Sequence, residues 1–306
     1  MPANDSHHLI LQLEADASLH EPHRLRSRLD ALDWLDSCFG ESGENVPAGE
    51  SDIPAMYARA RAIRGRLETA NAALYQEIRL EIQRGAQVNP GTNQLPNSLL
   101  DWLQKVSGPT QDGLPFPGLG YDYQDELLSG VLALREPAQA KAPAEPEMVF
   151  YQPTPVRHIL RLIAMSKLSE ADTPANLLID IGSGLGHVPL LASILTGAPT
   201  LGIEVEPAYV ASARECAQSL RLERVTFVQQ DARTADLSTG TVFHLYTPFT
   251  GAMLAQVLEK LRNESTSRPI RICTLGPCTE QLAAQSWLKP AAPPDPDQIT
   301  LFQSHI

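Results

Sequence analysis

A glycine-rich turn directly follows the apolar run "NLLID" and has the spacing of a ligand-binding loop. Gly182, Gly184 and Gly186 come shortly after Asp180 in the stretch "DIGSGLG". The dinucleotide fingerprint GxGxxG would need a third glycine at position 187, which is a histidine, and the lysine of the phosphate-binding loop GxxxxGK[ST] is absent. The turn therefore indicates close approach of the backbone to a ligand that carries no phosphate.

Carboxylates recur at the ends of three consecutive predicted strands, separated each time by one predicted helix. They are Asp180, Glu204 and Asp231. A carboxylate after the second strand suits a ribose diol, because its oxygens accept hydrogen bonds from both hydroxyls. Asp180 suits a free ammonium group, and Asp231 suits an adenine amino group. Together the three acids describe a ligand with a sugar, an amine and no phosphate.

The elements that must position these residues alternate between strand and helix from residue 148 onward. Apolar runs with strand character are "NLLIDIG", "PTLGIEVE", "RVTFVQQD", "TVFHLYTPF" and "RPIRICTLG". Helical patterns between them predict βαβ units, and therefore an α/β fold with a Rossmann-like, mostly parallel sheet. Because the carboxyl ends of parallel strands meet at one edge, the glycine turn and the acids should share one site. The last residues predict a final pair of strands around a proline-rich loop.

The N-terminal part of the chain has helical rather than alternating spacing of its apolar residues. One stripe ends at Gly40 and contains leucines at steps of four and three, namely Leu25, Leu29, Leu32 and Leu35. An Ala/Pro-rich stretch then predicts a linker. The predicted organisation is a helical cap domain (1–135), a linker (136–147) and an α/β domain (148–306). We expect the cap to close over the strand ends, with a homodimer interface as the alternative use of its apolar stripes.

Three motifs of the predicted α/β domain resemble those of the class I S-adenosylmethionine-dependent methyltransferases: "DIGSGLG", "GIEVEP" and "QQDA". The resemblance implies that S-adenosylmethionine is the cofactor and that the glycines let the backbone approach it. It also implies that Glu204 holds the ribose and that Asp231 contacts adenine. The candidate cofactor-binding residues in these motifs are Asp180, Gly182, Ser183, Gly184, Gly186, Glu204, Val205, Asp231 and Ala232.

The stretch "YQPTPVRHIL" ahead of the first strand, taken with "GIEVEP", is similar to histone-lysine methyltransferases of the disruptor-of-telomeric-silencing type. This similarity implies that Tyr151 and Thr154 contact the methionine part of the cofactor. The substrate of those enzymes does not carry over, because the chain has "YTPF" where they have an Asn-rich fourth motif. The chain is also acidic, whereas they need a basic surface to meet nucleosomes.

The fourth predicted strand ends in "YTPF", at the place where amino-group methyltransferases often carry [DN]PP[YF]. Tyr246 and Phe249 are candidate catalytic residues there, since aromatic faces attract a sulfonium cation. His187, which opens the helix beside the glycine turn, is the preferred candidate for a base, and His244 is the second. Tyr123, in an aromatic stretch of the predicted cap, is a further candidate for contact with the sulfonium.

The overall composition favours a small-molecule partner. The chain has 24 Lys and Arg against 36 Asp and Glu, a formal net charge of -12, which argues against nucleic acid and against an anionic membrane surface. Four cysteines without a CxxC pair predict neither a metal site nor a disulfide framework. The N-terminus has no signal-peptide pattern, so we expect a cytoplasmic protein.

Three functions are compatible with these residues. The first, which the motifs favour, is methyl transfer from S-adenosylmethionine to a small molecule in specialised metabolism. The second uses S-adenosylmethionine itself as the substrate, as in the azetidine-2-carboxylate synthases, which resemble methyltransferases with an added helical region and release methylthioadenosine. The third is a non-catalytic partner protein that binds S-adenosylmethionine.

Overall fold

The C-terminal half of the chain builds a seven-stranded sheet. The computed structural model describes residues 3–40, 53–88, 98–107, 121–136, 145–168 and 176–305. The strands are β1 (Leu178–Ile181), β2 (Thr200–Glu204), β3 (Val225–Gln229), β4 (Val242–Tyr246), β5 (Arg271–Leu275), β6 (Leu288–Pro290) and β7 (Thr300–Ser304). Their spatial order is β3-β2-β1-β4-β5-β7-β6.

The predicted α/β fold with a Rossmann-like, mostly parallel sheet is confirmed. The first five strands run parallel, and β7 pairs antiparallel with both β5 and β6. The final pair of strands lies where the sequence predicted it. The strand order reverses at β1, which has β2 on one side and β4 on the other. Such a switch point opens a crevice at the carboxyl ends of the strands, and this is the usual ligand site of open α/β sheets.

Ten α-helices occupy the described residues. Those of the N-terminal part are α1 (Ala3–Ala15), α2 (Leu25–Phe39), α3 (Ile53–Val88), α4 (Ser98–Val106) and α5 (Tyr123–Leu132). Those around the sheet are α6 (Val156–Ser166), α7 (His187–Thr196), α8 (Pro207–Ser219), α9 (Gly251–Ser265) and α10 (Cys278–Ala283). None of the described helices combines the length and the apolar character needed to cross a membrane.

Two apolar cores lie on opposite faces of the sheet. One contains buried residues of α9 and α10, such as Val257, Leu261 and Leu282. The other contains buried residues of α6, α7 and α8, and it continues without a break into the second half of α3, α4 and α5. The sheet is therefore covered on both faces, as its continuous apolar strands require.

The helical region, meaning α1 to α5, packs mainly against the outer side of α6, α7 and α8. Arg79 of α3 donates to the Ser219 hydroxyl at 2.9 Å, and Gln83 donates to the Ser219 carbonyl at 2.8 Å. Since α8 starts at the carboxyl end of β2, Ser219 at its last turn lies toward the opposite edge of the sheet. These contacts with α8 therefore lie away from the strand ends, and closure of the cap over the strand ends stays a prediction.

A separate apolar cluster holds the distal end of the helical region together. It joins α1, α2 and the first half of α3 through residues such as Ile10, Leu35, Phe39, Ile63 and Leu67. The predicted stripe of α2 does end at Gly40, whose φ of 73° suits glycine at a helix C-terminus. The Gly/Pro-rich loop at 108–120 and most of the predicted linker lie outside the described residues.

Asp125 couples α5 to the first turn of α6. Its Oδ1 accepts a hydrogen bond from the Val156 amide at 2.7 Å, and its Oδ2 accepts one from the Asp122 amide at 2.8 Å. The first bond satisfies one of the N-terminal amides that a helix leaves without an internal partner. Asp125 is nevertheless buried, and burial raises its pKa to about 6.

This raised pKa predicts a pH-dependent stability. The folded protein holds the Asp125 proton more tightly than the unfolded chain does, so protonation stabilises the fold below about pH 4, and this contribution is lost as the pH rises through about 6. We expect the free energy of unfolding of the native protein, relative to that of Asp125→Asn, to fall by up to about 3 kcal/mol over this range. Urea denaturation of both proteins at several pH values measures this difference. If the free energies of unfolding of the two proteins change with pH in parallel, the pKa of Asp125 is not raised.

Candidate functional site

A cavity of about 370 Å³ opens at the carboxyl ends of β1, β2 and β4. This volume lies in the range of small-molecule sites. Thirteen of the predicted site residues line it, namely Tyr151, Thr154, Asp180, Gly182, Ser183, His187, Glu204, Val205, Asp231, Ala232, His244, Tyr246 and Phe249. The long-range pairing of the strands therefore brings most of the predicted site together.

The glycine turn is held in a conformation that only glycine adopts easily. Gly182, Gly184 and Gly186 have φ values of 76°, 52° and 86°. A Cβ on Gly182 would overlap Pro248, and one on Gly184 would overlap the ring of Tyr151. Gly184 and Gly186 are not among the cavity-lining residues, because they serve to fit the turn against its neighbours.

Glu204 is fixed by the backbone around it. Its carboxylate accepts hydrogen bonds from the amides of Gly184, Val205 and Glu206, each at 2.8 Å. Burial raises the pKa of Glu204, and these bonds oppose that rise. A carboxylate has about four acceptor positions, so one remains, on Oε2. This geometry leaves room for one ribose hydroxyl on this carboxylate rather than the two that were predicted.

Asp231 forms an ion pair with an arginine that was not among the predicted site residues. Arg233 donates to both of its oxygens, at 2.6 to 3.1 Å, and also pairs with Glu145 at 2.6 Å. The Arg233 side chain accordingly lowers the pKa of Asp231. The Asp-x-Arg spacing of residues 231–233 is the one local sequence signal for the contact between Asp231 and Arg233. The contact between Arg233 and Glu145 has no such signal, because Glu145 is distant in sequence.

The segment 145–154 forms the front wall of the cavity. The Val149 amide donates to the Pro248 carbonyl at 3.1 Å, and Met148 forms an antiparallel bridge with Phe249. Glu147 accepts from the first amides of α9 at 2.8 and 2.9 Å, which suits a carboxylate at a helix N-terminus. The wall is therefore tied to the turn after β4.

Tyr151 and His187 meet above the glycine turn. The Tyr151 hydroxyl lies 3.2 Å from His187 Nδ1, and its ring packs against that of Tyr209 with centroids 4.9 Å apart. Burial lowers the pKa of His187 to about 4. The imidazole is thus neutral near pH 7 and a weak base, which makes it a poorer base than the sequence suggested.

His244 is placed deeper, beside Asp180 on the neighbouring strand. The two residues pair in register between β1 and β4, and His244 Nδ1 lies 2.7 Å from Asp180 Oδ1. Both are almost completely buried, at 1% and 3% exposure. His244 Nε2 has no hydrogen-bond partner among the described residues, and the same holds for Ser183 Oγ and the Tyr246 hydroxyl.

The turn after β4 is strained at its first residue. Thr247 has a φ of 35°, a conformation that a β-branched residue seldom adopts. Its hydroxyl donates to the Leu275 carbonyl and accepts from the Cys278 amide, both at 3.0 Å. These bonds hold the strained turn in place against the glycine turn.

Tyr123 does not reach the cavity, and its predicted role is wrong. Its hydroxyl donates to Asp30 of α2, and Arg26 lies over its ring with 4.6 Å to the centroid. Tyr121 instead reaches the front wall, where its hydroxyl donates to the Pro153 carbonyl at 3.0 Å.

Metal ligation finds no support in the described residues, where no group of three or more His, Cys, Asp or Glu side chains is placed to hold a metal ion. The four cysteines are free thiols, and three of them are buried. Burial raises the pKa of Cys216 and of Cys273 to about 12. These thiols therefore stay protonated and act as small core residues.

No protein-family model matches the chain, and no curated protein is significantly similar to it. Among solved structures, an RNA methyltransferase from Salinibacter ruber in complex with S-adenosyl-L-homocysteine is 25% identical, covers 50% of this chain and 92% of its own, and has a TM-score of 0.39. The precorrin-6y C5,15-methyltransferase from Geobacter metallireducens GS-15 is 15% identical, with coverages of 53% and 92% and a TM-score of 0.39.

A tRNA (uracil-54, C5)-methyltransferase from Pyrococcus abyssi in complex with S-adenosyl-L-homocysteine is 14% identical, with a TM-score of 0.38. The match covers 51% of this chain and only 40% of the Pyrococcus protein. At TM-scores this low the similarities carry no argument about what this chain does.

Proposed function

We propose that this protein is an S-adenosylmethionine-dependent methyltransferase that acts on a small molecule. One observation carries the proposal: Gly182 of the glycine turn, Glu204 and Asp231 line a single cavity at the switch point of the sheet. This set of groups suits a ligand with a ribose and an adenine. It does not suit phosphate, since no lysine or arginine is among the described residues that line the cavity.

The residues present fit this cofactor in three respects. Gly182 lines the cavity and has no side chain, so a ligand can approach its backbone closely. Glu204 keeps one acceptor position for a ribose hydroxyl. Ser183 Oγ and the Tyr246 hydroxyl are buried and have no hydrogen-bond partner in the described part of the chain, whereas buried polar atoms normally have one. A polar ligand in the cavity would supply it.

S-adenosylmethionine supplies a methyl group on a sulfonium, which transfers by in-line displacement. The protein's part is to position the reactants and to exclude water. Tyr151, Tyr246 and Phe249 line the cavity and suit a cation through their ring faces. The strained turn at Thr247 holds the last two of them in place.

A small, partly apolar acceptor fits the entrance. Three apolar side chains at the cavity are largely exposed, namely Val149 at 46%, Phe150 at 71% and Val205 at 42%. Exposed apolar groups at a site favour contact with an apolar part of a ligand. The net charge of -12 argues against a nucleic-acid acceptor.

Calorimetry on the full chain tests the cofactor. We expect S-adenosylmethionine and S-adenosylhomocysteine to bind, and ATP and NAD to bind at least about a hundredfold more weakly, because the carboxylates of the cavity repel phosphate. Glu204→Ala should weaken S-adenosylmethionine binding by about 1.5 to 3 kcal/mol, the range for a hydrogen bond to a charged group. Equal affinities for S-adenosylmethionine and ATP would refute the proposal.

The nucleoside product separates methyl transfer from the alternative chemistry. Incubation with S-adenosylmethionine and a panel of small amines, alcohols and thiols should release S-adenosylhomocysteine. Release of methylthioadenosine, with no acceptor added, would identify the protein as an enzyme that consumes the cofactor itself. Tight binding with neither product across the panel would favour a non-catalytic partner.

A further inference from the structure

Arg233 joins two carboxylates that come from distant parts of the chain. Its Nη1 and Nη2 donate to the two oxygens of Glu145 at 3.2 and 2.6 Å, and its Nε and Nη2 donate to Asp231 at 2.6 to 3.1 Å. A guanidinium presents its donors in a planar fork, so one arginine can hold two carboxylates in a fixed arrangement. Asp231 lines the cavity, and Glu145 is the first residue of the front wall. The arginine therefore connects this wall to the loop after β3.

The backbone is held on both sides of this connection. Lys260 of α9 donates to the Arg233 carbonyl at 3.1 Å. On the wall, the Met148 amide donates to the Glu145 carbonyl at 3.0 Å, and Met148 forms the bridge with Phe249. Both Met148 and Phe249 line the cavity. The ion pairs of Arg233 thus bear on the shape of the cavity, although its side chain is not among the lining residues.

The Asp231 carboxylate has its acceptor positions filled by the same arginine. Oδ1 accepts from the Arg233 amide at 2.8 Å and from its Nε at 3.1 Å, and Oδ2 accepts from Nε and Nη2 at 2.9 and 2.6 Å. A carboxylate has about four acceptor positions, and these four contacts use them. An amino group that lies beside Asp231 finds no free acceptor there unless Arg233 withdraws.

The neighbours of Asp231 in the cavity offer apolar contact instead. Ala232, Phe249 and Met253 belong to one apolar cluster, and Met148 packs against it. All four residues line the cavity together with Asp231. A flat heteroaromatic base can bury its faces against such side chains without a hydrogen bond from its amino group.

We infer that Arg233 is a positioning residue that ties the front wall to the loop after β3, and that Asp231 holds this arginine instead of recognising the amino group of the base. The inference rests on the proposed function, because it concerns how the adenosyl part of the cofactor is bound. It departs from the family resemblance, which implies that Asp231 contacts adenine. The acid keeps its place beside the cavity, but its hydrogen bonds go to the wall connection.

Two ligands that differ only in the amino group test the role of Asp231 in the native protein. One is S-adenosylhomocysteine, and the other is its counterpart with purine in place of adenine, which keeps the ring nitrogens and lacks the amino group. In calorimetry their affinities should agree within about threefold, because no charged acceptor meets the amino group.

Arg233→Met removes both ion pairs and keeps a side chain of similar length. It frees three of the four acceptor positions of Asp231, so the amino group of adenine gains a charged acceptor. We expect the variant to prefer S-adenosylhomocysteine over the purine counterpart by at least about tenfold, the lower end for a hydrogen bond to a charged group. A general loss of structure would weaken both ligands alike and leave the ratio at its native value.

Glu145→Gln tests the connection to the wall by itself. It removes the charge that Arg233 meets on the wall and leaves Asp231 paired. S-adenosylhomocysteine should dissociate about two- to fivefold faster in stopped-flow measurements, the range for a partly exposed ion pair, with the native ratio of the two ligands. Glu264→Gln is the matched control, because Glu264 pairs with Arg268 at the same 2.6 Å and is not among the cavity-lining residues. It should leave the dissociation rate unchanged.

Three results would overturn the inference. A larger preference of the native protein for S-adenosylhomocysteine means that Asp231 recognises the amino group. A native ratio in Arg233→Met means that the arginine does not withhold the acid, and a native dissociation rate in Glu145→Gln means that the wall is not tied through it. A native protein that binds neither ligand contradicts the proposed function instead. Hydrogen exchange of the Val149 amide on the wall, which should be faster in Arg233→Met, then tests the connection without a ligand.

Discussion

Replacing Gly182 by alanine is expected to weaken S-adenosylmethionine binding strongly. Gly182 has a φ of 76°, and a Cβ there would overlap the side chain of Pro248. The left-handed conformation costs an alanine about 1 to 2 kcal/mol, and the overlap costs about 1 to 3 kcal/mol. Relief of the overlap would separate the glycine turn from the turn after β4. An affinity loss of at least about thirtyfold should follow.

Gly40→Ala is the control for backbone strain. Gly40 has a similar φ of 73°, but it ends α2, and a Cβ there would meet no atom of the described residues within 4 Å. This change should lower the free energy of unfolding by about 1 to 2 kcal/mol and leave binding unchanged. If Gly182→Ala binds the cofactor like the native protein, the glycine turn is not the cofactor site.

A chain that begins at Glu145, and so lacks the helical region, is expected to be insoluble or to unfold without cooperativity. The sequence predicts a separate α/β domain, but the core that contains α6, α7 and α8 continues into α3, α4 and α5. Hydrogen bonds also cross this boundary, among them that from Cys216 Sγ to the Leu132 carbonyl at 3.3 Å. Removing the helices would expose one face of the layer and leave these groups unpaired.

Solubility and a thermal unfolding curve of the shortened chain test this expectation. A point substitution tests the same packing in the full-length chain. Leu128→Ala, at a side chain 1% exposed, should cost about 2 to 5 kcal/mol. Leu11→Ala, at 43% exposure, should change stability by less than about 0.5 kcal/mol. A soluble shortened chain with a sharp transition would show that the two parts fold independently.

The sequence by itself determined the local elements and the chemistry of the glycine turn. The stripe of α2 and the strands around the turn follow from short-range periodicity, which is encoded within a few residues. The positive φ values of Gly182, Gly184 and Gly186 follow from their residue type. The carboxylates at or near the ends of β1, β2 and β3 line one cavity, as predicted, because parallel strands deliver their ends to one edge.

Only the tertiary structure decided which of these residues face a ligand and which face each other. His244 meets Asp180 through the register of β4 against β1, and Tyr123 turns to Asp30 on a distant helix. Arg233 pairs with Asp231 and also with Glu145, which is 88 residues from Arg233 in the sequence. The helical region lies on α6, α7 and α8 because their outer faces are apolar. Such pairings depend on burial and on contacts between distant segments, and no local pattern encodes either.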